Sequence, residues 1–292
     1  MTDVSIIFVN YKTKDLTINA IKSVMEKTQN LDYEIFVVDN NSEDGSIEAI
    51  EQTFPNINII KSKTNGGFGY ANNLAIKQAK GKYILCLNTD TLLINNAVKI
   101  MFDFMEKEDN HNVGVCGGYL VNGNNEPTSC GGNFPSLTDV IWKAGIRNIF
   151  PNIYKNYCVT LHSDDTKYIK NLDYITGANI FFRKSVLDKV GVFDENFFMY
   201  YEETDLCKRI KNAGYSIKFV KEAKIQHLEN QSTDSELRHM KMVKTSEMKY
   251  FRKHHPHKVW LVKFIYIVLY LIDWLILRNK DSKTLISIII NN

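Results

Sequence analysis

The stretch Tyr83-Ile84-Leu85-Cys86-Leu87-Asn88-Thr89-Asp90 decides the fold. Its apolar run follows the Gly81-Lys82 break and is typical of a strand that is buried on both faces within a parallel sheet. The run then ends on three polar residues, Asn88, Thr89 and Asp90. In open α/β sheets, ligands bind beyond the carboxyl ends of the strands. A carboxylate at that position can hold a divalent cation, although Asn, Thr and Asp are also ordinary turn residues.

Strand and helix patterns alternate before this stretch. Strands are predicted at Val4–Val9, Glu34–Val38 and Ile57–Ile60. Helices are predicted near Leu16–Met25, Ile47–Phe54 and Tyr70–Lys80, and Gly81 is expected to cap the last of these. Repeated strand–helix units predict a parallel sheet with right-handed crossovers, and thus an α/β fold with helices flanking a mostly parallel central sheet.

The chain after Asp90 is less regular. Strand patterns occur at Val113–Val121, Tyr174–Phe182, Ser216–Val220 and Ala223–His227, and the segment Pro127–Leu172 gives no clear pattern. From Ser235 onward the pattern is mainly helical and then very apolar. We therefore predict a catalytic domain over residues 1–233 and a helical, apolar extension over residues 234–292.

Composition excludes several classes of protein. Hydrophobic residues make up 44% of the 292 residues and charged residues 24%, as in ordinary globular proteins. A net charge of +3 is too weak to indicate nucleic-acid binding. The five Cys form no Cys-x-x-Cys pair, which favours a reducing compartment, and the N-terminus shows no signal-peptide pattern. We therefore expect a cytoplasmic protein without a nucleic-acid partner.

Polar groups recur where the predicted strands end. They are Asn10-Tyr11, Asp39, Asn65-Gly66-Gly67 and Asn88-Thr89-Asp90. In a parallel sheet these ends face one crevice, where an aromatic ring can stack on a base and glycines let the backbone approach a phosphate. Each group alone has a plain structural explanation, in packing for Tyr11 or in a loop for Asp39. Together they indicate nucleotide binding.

Two further features can carry chemistry. Glu202-Glu203-Thr204-Asp205 precedes a helical pattern, where acidic residues are also favoured by the helix macrodipole. A carboxylate there could equally serve as the general base for transfer to a hydroxyl. His227 ends a strand pattern, and as a metal ligand it would need a partner carboxylate, for which Asp90 is the candidate.

As a set, these motifs resemble the inverting glycosyltransferases of family 2, which have the nucleotide-sugar fold called GT-A. The matching segments are Ser5–Tyr11, Val37–Ser42, Asn65–Asn73, Asn88–Asp90, Thr176–Ala178, Phe193–Phe197, Tyr201–Leu206 and His227. The resemblance covers roughly Thr2 to Thr233 and is greatest to the rhamnosyltransferase-like branch that builds bacterial cell-surface polysaccharides.

The resemblance implies a role for each matching residue. Tyr11 and Asp39 would hold the base of the nucleotide, and Asn65, Gly66 and Gly67 would lie near the ribose and diphosphate. Asn10 and Asn88 would also belong to the nucleotide-sugar site. Asp90 would bind Mn²⁺ or Mg²⁺, with His227 as second ligand, and Gly177 and Ala178 would lie near the acceptor. The family's usual Glu-Asp pair is Glu202-Glu203 here, which makes Glu203 the expected base and Glu202 the next candidate. Asn88 stands where many members carry Asp.

The reaction implied by the resemblance is a single displacement with inversion. The donor would be a dTDP- or UDP-sugar carrying rhamnose or another hexose, and the acceptor a saccharide or polyprenyl-linked hydroxyl. The chain lacks the Gln-x-x-Arg-Trp motif of polymerising relatives, so we expect one sugar to be added per encounter. The segment Pro127–Leu172 is expected to carry acceptor choice.

The apolar stretch Val259–Leu277 is interrupted by Lys263 and Asp273. Those charges make a membrane crossing costly. Lys263, Tyr266, Tyr270 and Asp273 fall on one helical face, which suits a helix at the inner face of the cell membrane. Packing on the catalytic domain, or on a second subunit in a homodimer, is an alternative of nearly equal weight.

Two other functions fit the sequence less well. A sugar-phosphate nucleotidyltransferase would need a Gly-rich basic loop after the first strand, and Asn10-Tyr11-Lys12-Thr13 is not one. A non-catalytic nucleotide-sugar-binding module would not need the acidic pair or His227.

Overall fold

The computed structural model describes residues 2–142, 160–162, 172–228, 236–275 and 281–292. Its strands are β1 (Val4–Asn10), β2 (Tyr33–Asp39), β3 (Asn58–Lys61), β4 (Tyr83–Leu87), β5 (Thr91–Leu93), β6 (Val113–Val121), β7 (Ser129–Gly132), β8 (Thr160–His162), β9 (Tyr174–Ile175), β10 (Asn179–Arg183) and β11 (Ser216–His227). Its helices are α1 (Lys14–Lys27), α2 (Ser46–Thr53), α3 (Phe68–Ile76), α4 (Ala97–Glu106), α5 (Leu137–Ile141), α6 (Lys184–Val190), α7 (Glu202–Asn212), α8 (Glu236–His254), α9 (Val259–Leu275) and α10 (Asp281–Asn291).

The first half of the large sheet is parallel, as predicted. β1 pairs in parallel with β2 and β4, and β2 pairs in parallel with β3. Every residue of β4 is buried, because apolar side chains on both of its faces meet the two main core clusters. Gly81 does not cap α3, which ends earlier, at Ile76. A Cβ at Gly81 would lie 2.4 Å from the Ser5 nitrogen, so this glycine permits close approach to β1.

The second half of the sheet is mixed. The complete order is β3-β2-β1-β4-β10-β6-β11-β5. β10 is antiparallel to both β4 and β6, and β5 is antiparallel to β11. The beginnings of β10 and β5 therefore lie at the same edge as the carboxyl ends of β4 and β11. β11 is one strand with a register shift between Val220 and Lys224, where the sequence predicts two strands.

The C-terminal helices α8, α9 and α10 confirm the helical pattern predicted after Ser235. Buried side chains of α5, α8, α9 and α10 share one core cluster, which includes Val140, Phe251, Val262 and Ile289. The predicted domain boundary, most of Pro127–Leu172 and the end of Val259–Leu277 lie outside the described residues. Within the described part of the chain, the helices are too short or too polar to cross a membrane.

Candidate active site

A cavity of about 520 Å³ opens at the edge of the sheet where β1, β4 and β11 end. The predicted site residues that line it are Tyr11, Asn65, Asn88, Asp90, Gly177, Ala178, Glu202, Glu203 and His227. Predicted donor, metal, acceptor and base residues thus share one cavity, because parallel strands deliver their following loops to the same edge. Four predicted residues, Asn10, Asp39, Gly66 and Gly67, lie outside this lining.

Asn10 and Asp39 form a buried hydrogen-bonded pair behind the cavity. The Asn10 amide donates to Asp39 Oδ1 at 2.8 Å and to Ser42 Oγ at 3.1 Å. The Ser42 backbone nitrogen donates to Asp39 Oδ2 at 3.1 Å. Asp39 Oδ1 therefore links the ends of β1 and β2, and Oδ2 holds the loop that follows β2. The contact of Asn10 and Asp39 with the base stays a prediction.

The loop of Asn65, Gly66 and Gly67 is held by amide side chains. Asn40 donates to Asn65 Oδ1 at 2.9 Å and accepts from the Gly66 nitrogen at 3.1 Å. Gly67 has φ +90°, and a Cβ there would lie 1.9 Å from the carbonyl oxygen of Phe198. Only glycine fits this contact, which joins the donor side of the cavity to the segment before α7.

Asp90 and His227 lie next to each other in the cavity wall. His227 pairs with Thr91 across β11 and β5, which places its Nε2 3.3 Å from Asp90 Oδ1. Both side chains are mostly buried. No cluster of three or more His, Cys, Asp or Glu side chains suited to a metal occurs among the described residues. One carboxylate and one imidazole still fit a divalent cation that is bound together with substrate phosphates and water.

Glu202 and Glu203 occupy the first turn of α7 and line the same cavity. Burial raises the pKa of Glu202 well above its usual range, and the neighbouring Glu203 charge raises it further. Burial also raises the pKa of Glu203, to about 7. The Oε2 atom of each is buried and has no hydrogen-bond partner within the described part of the chain. A pKa near 7 suits a carboxyl that gains and loses a proton near neutral pH, as a general base does.

The backbone before this pair is strained. Tyr200 and Tyr201 have φ values of 67° and 69°, in the left-handed region that favours glycine. Such residues cost of order 1–3 kcal/mol each and persist where the surrounding structure holds them. Burial raises the pKa of the Tyr201 hydroxyl, and a hydrogen bond to Glu247 of α8 reinforces this shift.

Helix α8 holds the acidic pair in place. Ser246 donates to the Met199 carbonyl at 2.7 Å, just before the strained tyrosines. Asp205 of α7 is completely buried and contacts Arg209, Lys253 and His254. Burial alone would raise the pKa of Asp205, but hydrogen bonds from His254 and Lys253, together with the Arg209 charge, lower it to about 2.

Part of the cavity wall escaped the sequence analysis. It comes from Asn40, from Phe198, Met199 and Tyr200 before α7, and from Arg238, His239 and Met242 of α8. The His239 ring meets the Tyr200 ring edge-on at 5.0 Å between centroids. Among these residues, the sequence points to Asn40, which lies within the Val37–Ser42 motif, and to Arg238, which begins a stretch rich in basic residues that ends at Lys263.

Comparison with known proteins gives the cavity its context. The model of the family described as "Glycosyl transferase family 2" matches residues 5–191. The chain belongs to this family. The matched region contains every predicted donor residue and the acceptor pair Gly177-Ala178, and the acidic pair lies beyond it.

Two curated relatives are similar over most of this chain. An N-acetylglucosaminyl-diphospho-decaprenol L-rhamnosyltransferase of Mycobacterium tuberculosis is 24% identical, covering 68% of this chain and 67% of that protein. The low-salt glycan biosynthesis hexosyltransferase Agl10 of Haloferax volcanii is 26% identical, covering 74% of this chain and 64% of that protein. This chain thus spans about two thirds of the length of either relative. The resemblance to the rhamnosyltransferase-like branch of family 2 is confirmed.

A solved structure supports the fold. The mannosyltransferase PcManGT from Pyrobaculum calidifontis, in complex with GDP-Man and Mn²⁺, superposes with a TM-score of 0.59 at 13% identity. The match covers 100% of this chain and 75% of that chain. The predicted GT-A fold is confirmed: a large mixed sheet flanked by helices, with a C-terminal helical region.

Proposed function

We propose that this family 2 glycosyltransferase moves one hexose, rhamnose or another, from a dTDP- or UDP-sugar to an acceptor hydroxyl with inversion at the anomeric carbon. The acceptor would be a saccharide or a polyprenyl-linked saccharide at the inner face of the cell membrane, in cell-surface polysaccharide synthesis. The observation that carries this proposal is one cavity that holds both the Asp90–His227 pair and the buried Glu202-Glu203 pair.

Two small residues, Gly177 and Ala178, line the predicted acceptor side of the cavity. The Asn88 nitrogen donates to the Ala178 carbonyl at 3.1 Å, which fixes the segment before β10 beside the end of β4. A Cβ at Gly177 would lie 3.5 Å from the Phe68 ring, so the absent side chain leaves room at that point. Gly177 and Ala178 therefore suit an acceptor sugar that approaches the donor.

In the proposed reaction, Glu203 accepts the proton of the acceptor hydroxyl while that oxygen attacks the anomeric carbon. The bond from the anomeric carbon to the diphosphate oxygen breaks, and the nucleoside diphosphate leaves with the electron pair. Mn²⁺ or Mg²⁺, held by Asp90 and His227 with the diphosphate oxygens, would supply electrostatic stabilisation of the leaving group. Burial and the neighbouring Glu203 charge raise the pKa of Glu202, which favours the neutral form of Glu202 and leaves Glu203 to carry the negative charge of the pair.

The proposed metal site is supported by the ligand atoms of Asp90 and His227 and by the solved relative. PcManGT is described in complex with GDP-Man and Mn²⁺. The Asp90 and His227 side chains supply the oxygen and nitrogen ligands that Mn²⁺ accepts. The M. tuberculosis relative is named for a diphospho-decaprenol acceptor, which supports a lipid-linked acceptor here.

The experiment that tests the function separates binding from turnover. Thermal unfolding is followed with dTDP-, UDP- and GDP-sugars, with and without Mn²⁺, for the wild type and for Glu203→Gln. A ligand of the native state raises the melting temperature. The proposal expects a metal-dependent rise with one nucleotide in both proteins, and sugar transfer only in the wild type. No rise with any donor, from folded protein, would contradict it.

A further inference from the structure

Helix α9 turns its polar side towards the protein. The Tyr266 hydroxyl is buried and donates to Glu247 Oε1 at 2.9 Å. Lys263 donates to the Ile290 carbonyl at 3.1 Å, and Asp273 accepts from the Ser282 hydroxyl at 2.6 Å. These residues belong to the polar helical face that the sequence predicts for an interfacial helix. Their partners are α8 and α10 instead.

The opposite side of α9 is apolar and exposed. The side chains concerned recur at helical spacing and form a surface that we call the α9 face: Trp260, Phe264, Val268, Leu271, Ile272 and Leu275. Trp260 is 68% exposed, Phe264 61% and Leu275 66%. A helix that packs on a water-soluble core buries its apolar side. α9 buries Val262 in the core it shares with α8 and α10, yet it also leaves this second apolar side exposed. That side requires a cover that this chain does not supply in its described residues.

The charges beside the α9 face indicate what covers it. Arg252 and Lys258 are exposed shortly before α9 begins. Lys253, by contrast, is engaged by Asp194 and Asp205. Cations at the end of an apolar stripe match a bilayer, in which anionic headgroups lie directly above the acyl chains. An apolar surface on a second copy would offer these cations no counter-charge.

The tryptophans agree with that assignment. Trp260 lies at the beginning of α9 and Trp274, which is 40% exposed, lies near its end. Tryptophan is enriched where water meets the acyl chains, because its ring is apolar and its indole nitrogen donates a hydrogen bond. At 1.5 Å per residue, the 17 residues of α9 extend about 25 Å, as a helix lying along the membrane surface.

We propose that the α9 face binds the surface of a bilayer containing anionic lipid, lying in the headgroup region without crossing it. The position of α9 connects this surface to the cavity. Tyr266 contacts Lys244 and Glu247 in the middle of α8. Arg238, His239 and Met242 of the same helix line the cavity, so α8 connects α9 to the cavity wall.

The test is co-sedimentation of the full chain with vesicles of phosphatidylcholine containing phosphatidylglycerol, and with vesicles of phosphatidylcholine alone. The test variant is Trp260→Gln with Phe264→Gln. The matched control is Met25→Gln with Ile94→Gln, which removes two apolar side chains that are 43% and 42% exposed elsewhere. Circular dichroism and melting temperature verify that each variant folds.

We expect the wild type and the control to pellet with the anionic vesicles, and more weakly with neutral ones. The test variant should lose at least roughly tenfold in partition coefficient for each side chain replaced, since burying a large apolar side chain is typically worth that factor. A wild type that stays in solution, or a test variant that pellets equally, overturns the proposal. A concentration-dependent dimer that the test variant abolishes, without vesicle binding, would assign the α9 face to a second copy.

This assay needs neither donor nor acceptor. Failure of vesicle binding would therefore not contradict the proposed transferase activity. Failure of donor binding would likewise not contradict membrane binding by the α9 face.

Discussion

The protonation of Glu203 sets the expected pH dependence of transfer. Burial raises the pKa of this carboxyl to about 7, and a general base must be ionised to accept a proton. One pH unit below that pKa, roughly a tenth of the carboxyl is ionised. We therefore expect kcat/KM to fall about tenfold per pH unit below about pH 7, where an ordinary glutamate would hold its activity down to about pH 4 or 5.

Two isosteric variants assign the base within the pair. Glu203→Gln should lower kcat/KM by about 10²–10⁴, the usual contribution of a general base, and should leave donor binding unchanged. Glu202→Gln should keep most of the activity, and its kcat/KM should still begin to fall below about pH 7. The reason is that burial and the neighbouring Glu203 charge raise the pKa of Glu202 and so favour its neutral form, which the amide of Gln resembles.

The assay measures sugar transfer at saturating metal from pH 5 to pH 9, with the melting temperature recorded at each pH to exclude unfolding. An acidic limb near pH 4.5 in the wild type would contradict the buried, poorly solvated environment of Glu203. A Glu202→Gln protein that is inactive beside an active Glu203→Gln protein would reverse the two roles.

Three further variants test how the cavity is built. Gly67→Ala should lower the free energy of unfolding by at least about 1 kcal/mol in urea denaturation, because its φ is +90° and the Phe198 carbonyl blocks a Cβ. The control Gly123→Ala should stay close to wild type, because a Cβ there would make only an ordinary contact with Leu228 at 3.9 Å. Asp90→Asn should abolish the Mn²⁺-dependent part of the donor-induced rise in melting temperature, and a rise equal to wild type would remove Asp90 from the metal site. The pKa of Asp205 is lowered to about 2, so its ion pairs stabilise the fold above about pH 4 and are lost as pH falls towards 2. In urea denaturation, Asp205→Asn should therefore have a lower free energy of unfolding than wild type at pH 7. Between pH 4 and pH 2, its free energy of unfolding should fall less than that of wild type.

Local sequence patterns determined the parallel half of the fold. β4 occupies the predicted Tyr83–Leu87, since a continuous apolar run of that length has few alternatives to a strand buried on both faces. The polar residues after β1 and β4 reach one crevice because parallel strands share a carboxyl edge. Motif resemblance added the family, which the match over residues 5–191 confirms.

Long-range packing decided what these patterns could not. β5 has only three residues, too few to show a period, yet its pairing with β11 brings His227 to Asp90. The raised pKa of Glu203 is a property of its burial, which depends on everything packed around the first turn of α7.

Helix α9 shows the same division most clearly. The sequence determines that one side of α9 is polar and the other apolar, because side-chain period follows from helix geometry alone. Only the tertiary structure decides which side faces inwards. Glu247 of α8 and the end of α10 satisfy the polar groups of α9 and leave Trp260 and Phe264 exposed. Amphipathicity is local in the chain, whereas its direction depends on partners that are distant in sequence.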